Sequence, residues 1–218
     1  EMEEKLGLKV LPIQLNMGIG EGFAGVIDLV RMEAVTFEGA GGEKVHRGAI
    51  PEAYQEQATA AREEMLETLS MYNDCLLEML LEEQQVDEQL IRRIIRDATI
   101  NREIVPMMMG SAFKNRGVQP LMDAACDYLP SPMDRSSFAR DHDNEGTETP
   151  LASDPDAALV AMVFKIADES FGQLSYVRVY QGRLVKGAQY GNVRTGRKVR
   201  IGRIVRMHAN DREDVTEA

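Results

Sequence analysis

The sequence predicts an α/β body followed by an antiparallel β-barrel of which only part is present, and three observations predict it. Ile104 to Met109 is a short apolar run bounded by Gly110. After a polar loop, Val118, Leu121, Met122, Ala125 and Leu129 recur at helical spacing until Pro130 and Pro132, so the stretch reads as strand, loop and helix. From Pro51 to about Glu82, Ala, Met, Leu and Glu dominate, which is helical composition. From Ala157 onward, short apolar stretches alternate with glycine turns, as in a small antiparallel barrel.

In chain order, Glu1 to Leu6 suits the tail of a helix capped by Gly7, and such a start suggests a piece of a longer protein. Leu8 to Met17 then reads as extended and apolar. Gly20-Glu21-Gly22-Phe23-Ala24-Gly25 satisfies the dinucleotide fingerprint G-x-G-x-x-G, but its context fails. Val26 to Met32 is too short for the crossover helix, and Ala34 to Phe37 runs into a glycine turn at Gly39 to Gly42 where an acidic ribose ligand would belong. These glycines are therefore expected to form a tight, irregular loop.

The helical region presents Tyr54, Ala58, Ala61, Met65 and Leu69 on one apolar face, and Leu76, Leu77 and Leu80 on another beyond a break near Tyr72 to Asp74. Asp87 is placed to cap a further helix that turns Leu90, Ile91, Ile94, Ile95 and Ala98 inward. Residues 131–156 shift to Pro, Ser, Asp, Gly and Thr and read as a linker. Its Asp143-Asn144-Glu145-Gly146 matches D-x-x-G only by chance, because no buried strand precedes it. Four strands are expected beyond it, over Leu159 to Ala167, Leu174 to Gln181, Leu184 to Val193 and Val199 to His208.

The string GSAFKNRGVQPLMDA followed by DYLPSP resembles the bacterial elongation factor G family of translational GTPases. LPIQLNMGIGEGFAGVIDLVRMEAVTF is similar to the start of the subdomain inserted in that family's GTPase domain. VFKIADESFGQLSYVRVYQGRLVKG and RKVRIGRIVRMHANDREDV are similar to the β-barrel that follows it, with the compact DESFGQL standing where the family commonly has a longer loop.

The resemblance implies an α+β insert over residues 1–103, the last strand and helix of a P-loop GTPase domain over 104–130, a linker over 131–156 and an incomplete β-barrel over 157–218. It also implies that Ser111, Ala112, Phe113 and Lys114 form the guanine-specificity loop, whose Ser-Ala pair offers backbone N–H groups to the guanine carbonyl oxygen. The parent would use GTP and GDP with Mg and would drive tRNA and mRNA through the ribosome. The barrel would meet ribosomal RNA, and the insert would meet the ribosomal stalk protein.

Composition adds partner chemistry. Residues 1–156 carry 14 Lys and Arg against 30 Asp and Glu, whereas residues 157–218 carry 11 against 6. An acidic body with a basic tail suggests different partners for the two parts, with nucleic acid plausible for the tail. Arg197, Lys198, Arg200, Arg203 and Arg206 would supply phosphate contacts. Tyr176 and Tyr180 have the chemistry to stack on bases, although their spacing on one strand face favours packing.

Cys75 and Cys126 define neither a disulfide framework nor a metal site, which suits a reducing, cytosolic setting. His46, His142 and His208 lack metal-ligand spacing, and no apolar run reaches the length of a membrane span. The chain holds no G-x-x-x-x-G-K-[ST] loop and no Asn-Lys-x-Asp, so on its own it is expected neither to hydrolyse GTP nor to require a bound cofactor. Open strand edges in an unfinished barrel are expected to promote self-association. Two alternatives remain open at this point: another ribosomal GTPase of the same layout, and a non-enzymatic module that binds the ribosome.

Overall fold

A computed structural model describes residues 2–39, 41–142, 144, 146–169, 172–209 and 211–218. The chain divides into two compact units, Glu1–Pro130 and Ser131–Ala218, and is a mixed helix and strand fold with mostly antiparallel pairings. Asp143 and Glu145 of the D-x-x-G run, and Ser170 and Phe171 of the DESFGQL turn, lie outside the described residues.

The first unit opens with a short helix α1 (Met2–Leu6), ended by Gly7, whose N–H donates to the Glu3 carbonyl at 2.9 Å. Strands β1 (Val10–Pro12) and β2 (Gln14–Met17) follow where one extended segment was expected. The division at Ile13 has a structural reason, because β1 and β2 join different sheets. β2 leads into an antiparallel sheet with β3 (Gly25–Asp28), β4 (Glu33–Glu38) and β5 (Lys44–Gly48), ordered β2-β3-β4-β5. The glycine-rich run before β3 is a 3-10 turn at Gly20–Gly22, so the dinucleotide fingerprint does not form a helix N-terminus.

Three helices then stack on the sheet: α2 (Glu52–Ser70), α3 (Asp74–Leu81) and α4 (Glu88–Ile100). The expected break falls between α2 and α3, where the Asn73 side chain accepts from the Leu76 N–H at 2.9 Å. Asp87 caps α4 by accepting from the Gln89 N–H at 3.1 Å. Each such cap stabilises its helix by about 1 kcal/mol. Ala58, Met65, Leu69, Leu76, Ile91, Ile94, Ile95 and Ala98 point inward and meet Leu11, Ile13 and Ile27 in one core. Burying a side chain of this size contributes roughly 1.5–3 kcal/mol.

The chain then returns to its beginning. Strand β6 (Val105–Met107) pairs in parallel with β1, Val10 opposite Val105 and Pro12 opposite Met107. Helix α5 (Val118–Tyr128) follows and packs on α4. The apolar residues noted at helical spacing on α5 are not its buried face: Leu121, Met122 and Leu129 are more than half exposed, while Pro120 and Tyr128 are buried and Ala124 packs on the core. A helix with apolar groups on two sides has no unique orientation in its sequence, and contact with α4 selects one of them.

The second unit is built from antiparallel pairs. Residues 131–156, expected as a linker, carry a 3-10 turn at Pro132–Asp134 and a hairpin of β7 (Ser137–Asp141) and β8 (Thr147–Leu151). Polar, turn-forming composition at the hairpin tip concealed the short strands on either side. β9 (Val160–Glu169) pairs with β10 (Gly172–Gln181). The third expected strand shortens to β11 (Gln189–Asn192), which pairs with β12 (Arg197–Arg200). The fourth splits, because the residues around Gly202 leave the ladder before β13 (Ile204–His208), whose partner β14 (Asp211–Val215) was not foreseen. Further backbone bonds join these ladders: Leu184 and Ala218 exchange N–H to carbonyl bonds at 2.7 and 2.9 Å, and Gly187 donates to the Ile201 carbonyl at 2.8 Å.

Candidate functional site

The candidate loop begins where β6 ends. Ser111 is extended, Ala112–Lys114 form a 3-10 turn, and Asn115 closes it in the left-handed region at φ 50°. Ser111 and Arg116 pair as a small antiparallel bridge, with the Ser111 N–H donating to the Arg116 carbonyl at 2.7 Å and the Arg116 N–H donating back at 3.0 Å. Lys114 donates its N–H to Ser111 and Asn115 donates to Ala112. The N–H groups of Ala112 and Phe113 are left without an acceptor among the described residues, and both residues are exposed. Two adjacent free donors beside a small side chain suit a carbonyl oxygen presented from outside. Phe113 is 100% exposed, and Lys114 makes no ion pair among the described residues. The four expected residues therefore come together in one turn.

Glycine makes this turn possible at both ends. A Cβ on Gly110 would lie 2.6 Å from the Arg116 carbonyl oxygen, and Gly117 sits at φ 86° with its Cβ position 2.7 Å from the Met109 carbonyl oxygen. No side chain fits either place without moving the backbone.

The turn is braced from behind by the β2–β5 sheet. Gln14 on β2 is 3% exposed, and its Oε1 accepts the Met109 N–H at 3.1 Å. Met109 also packs on Val26, Val35 and Phe37, a small cluster of that sheet separate from the main core. The Arg116 guanidinium donates to the Phe23 carbonyl at 2.9 Å. Gly42 lies so close that a Cβ there would be 2.7 Å from the Asn115 carbonyl oxygen and 2.8 Å from that of Lys114. The sequence did not connect Gln14, Phe23, Gly42 or Arg116 with the shape of this loop, since each acts through a neighbour distant in the chain.

On another side of α5 a cleft of about 290 Å³ is lined by Asp28, Arg31, Arg47, Arg92, Asp127 and Tyr128, among others. Its arginines are paired: Arg31 with Glu88 at 2.9 Å, Arg47 with Glu33, and Arg92 with Glu88 at 2.8 Å and with Asp127. The Arg31 hydrogen bond, reinforced by Arg92, holds the Glu88 carboxyl below its ordinary range. Burial, aided by the Asp28, Asp127 and Glu88 carboxylates and opposed by Arg92, pushes the Tyr128 phenol up to about 12.

In the second unit the five basic residues separate into two groups. Arg203 is held by Asp214 and Arg206 lies 3.7 Å from Glu213, while Arg200 donates to the Gly187 carbonyl at 3.3 Å. Arg197 and Lys198 have exposed side chains with no ion pair among the described residues. Arg194, in the turn between β11 and β12, is likewise exposed and unpaired there and belongs with them. Tyr176 and Tyr180 are already covered by Lys165 and Arg178, whose cations sit 5.1 and 4.8 Å from the ring centres. Among the described residues no group of three metal-ligating side chains assembles, and no helix is long and apolar enough to cross a membrane.

Comparison with known proteins follows the same division. A family model described as elongation factor G domain 2 matches residues 158–218. Elongation factor G of Rhodopirellula baltica is 46% identical over 218 residues, covering 100% of this chain and 31% of that protein. The mitochondrial elongation factor G-1 of Arabidopsis thaliana is 43% identical over 206 residues, covering 94% of this chain and 27% of its own length. A crystal structure from Thermus thermophilus superposes with a TM-score of 0.74 at 26% identity, covering 100% of this chain and 29% of that one. The chain thus spans about a third of the length of the curated relatives it matches.

The raised Tyr128 pKa has a consequence for stability. Between pH 10 and about 12 the unfolded phenol loses its proton while the folded one keeps it, so stability is full below pH 10 and falls as pH rises through that window. The loss should reach the order of 2 kcal/mol. Urea titrations across this range should show the decline, and Tyr128→Phe should flatten it; an equal slope in the variant would assign the alkaline loss to other groups.

Proposed function

Because this chain belongs to the elongation factor G family, we propose that the longer protein is a ribosomal GTPase that hydrolyses GTP, with Mg, to move tRNA and mRNA through the ribosome in the cytoplasm. Within it, residues 1–103 are a subdomain inserted in the GTPase domain, residues 104–130 are that domain's last strand and helix, and residues 157–218 begin a β-barrel. Ser111 to Lys114 read the guanine base. The observation that carries this reading is the pair of free Ala112 and Phe113 N–H groups at the carboxyl end of β6, within a chain 46% identical to an elongation factor G. Phosphate binding and hydrolysis belong to parts of the protein outside these residues.

The basic turn and strand at Arg194, Arg197 and Lys198 contact ribosomal RNA through phosphates, while Arg203 and Arg206 serve mainly their carboxylate partners. The acidic helices α2 and α3 face the ribosomal stalk protein. Strand β9 leaves Met162, Val163, Phe164 and Ile166 about half exposed, which supports self-association of the isolated chain. Another ribosomal GTPase of the same layout is separated from this reading by its failure to advance tRNA on programmed ribosomes.

Three measurements test the parts. Ser111 is extended, as a residue before proline must be, so Ala112→Pro deletes one donor with little strain. In the full-length protein it should weaken GDP and GTP binding about fivefold, one hydrogen bond being worth about 1 kcal/mol. Unchanged affinity in a folded variant would remove Ala112 from the base site. Changing Arg197 and Lys198 together to Gln should weaken ribosome binding and lower its salt slope by about 2, with a smaller effect for Arg203→Gln with Arg206→Gln. Equal effects would argue that the ion pairs do not decide which cations meet RNA. Light scattering on the isolated chain should give a mass that rises with concentration, whereas a constant monomer mass would sink the self-association.

A further inference from the structure

The loop from Gly110 to Gly117 does not hold its shape alone. Arg116 pairs with Ser111 through both backbone groups, at 2.7 and 3.0 Å, and Ser111 immediately precedes the two free N–H donors. The side chain of the same arginine crosses to the turn before β3 and donates to the Phe23 carbonyl at 2.9 Å. One residue therefore connects Phe23 to the segment that carries the donors.

Behind the loop, the turn between β4 and β5 touches the same backbone. Gly42 faces the carbonyl oxygens of Lys114 and Asn115 at a distance that excludes even a methyl group. Gln119 donates to the Gly42 carbonyl at only 3.4 Å, while its own Oε1 is buried without a donor. Opening this contact returns that oxygen to water, which offsets much of what separation would lose. The contact is thus held by close backbone approach more than by hydrogen bonding. The sheet itself lies between this loop and the helices, with Val26, Val35 and Phe37 toward Met109 and Ile27 and Ala34 toward the α2–α4 core.

We propose that Arg116 is a positioning residue that latches the base-reading loop to the turn before β3 through Phe23, with the Gly42 turn as its backstop, and so sets how long the guanine carbonyl is held. The proposal rests on the reading of Ser111 to Lys114 as the guanine loop.

The test uses the full-length protein and two diphosphates that differ at one atom of the base: GDP, and 2-aminopurine riboside diphosphate, which lacks the carbonyl oxygen. Arg116→Met keeps the stem and removes the donor. It should raise the GDP dissociation rate about tenfold and that of the 2-aminopurine nucleotide less than about twofold, consistent with loss of one charged hydrogen bond felt only through the carbonyl. Arg116→Lys should recover part of the difference. Gly42→Ala, which pushes on the Lys114 and Asn115 carbonyls, should narrow the discrimination in the same direction, and Arg116→Gln, which shortens the side chain without burying a new group, answers the question if either of the others does not fold.

If the unmodified protein discriminates but neither variant narrows the ratio, the latch is overturned and the guanine loop stands. Equal acceleration of both nucleotides, with a lowered melting temperature, would make Arg116 a structural residue and also overturn it. If the unmodified protein holds both nucleotides equally, the guanine reading fails and the latch fails with it.

Discussion

The parallel pairing of β1 with β6 is the constraint from which the first unit follows. It joins Val10 to Val105 and Pro12 to Met107, so everything between them is held as one closed excursion of the chain. Loop closure costs grow only logarithmically with length, so an excursion this long is little less favourable than a short one once it has its own core. That core is supplied by Leu69, Leu76, Ile91 and Ile95 from the helices against Ile27 and Leu11 from the strands. The pairing is continued beyond the ladder by Ile13 donating to the Met107 carbonyl at 3.1 Å and by Gln14 accepting from Met109.

Because β6 is fixed in this way, the turn that follows has a fixed origin. Its shape then depends on Gly110 and Gly117, where backbone approaches backbone too closely for a side chain. The chemistry offered is modest: two free N–H groups, a small hydroxyl and an exposed lysine. Precision comes from the sheet behind, through Gln14, Phe23 and Gly42. A binding loop held by rigid elements keeps its donors aligned without reordering on binding.

Charge is used differently in the two units. In the first, an acidic surface is stitched by Arg31, Arg47, Arg92 and their carboxylates into a network joining the turn after β3 to α4 and α5. Single exposed pairs contribute little, but here each arginine bridges elements that are already packed. Arg62 adds a related contact, donating from α2 to the Leu29 and Val30 carbonyls, with burial lowering its pKa. In the second unit the pairing is incomplete, and Arg194, Arg197 and Lys198, without ion pairs among the described residues, lie together on and beside β12.

The helices, the Asp87 cap and the break between α2 and α3 were legible in the sequence because they rest on local chemistry, 3.6-residue periodicity and Asp87 before its helix, whereas Asn73 as the cap of α3 was found in the structure. The Ser111 to Lys114 turn was legible for the same reason, as a short polar string between an apolar run and a helix. The strands were less so. Val199 to His208 reads as one alternating stretch, yet the ladder lapses around Gly202, and the hairpin in residues 131–156 is masked by its turn-forming tip. Which side of α5 is buried, which cations stay free and which residues brace the turn depend on partners tens of residues away. Local pattern records what a segment is able to do, and only the assembled sheet decided that Pro120 and Tyr128 are buried while Leu121 and Met122 are exposed, and that Arg116 finds Phe23.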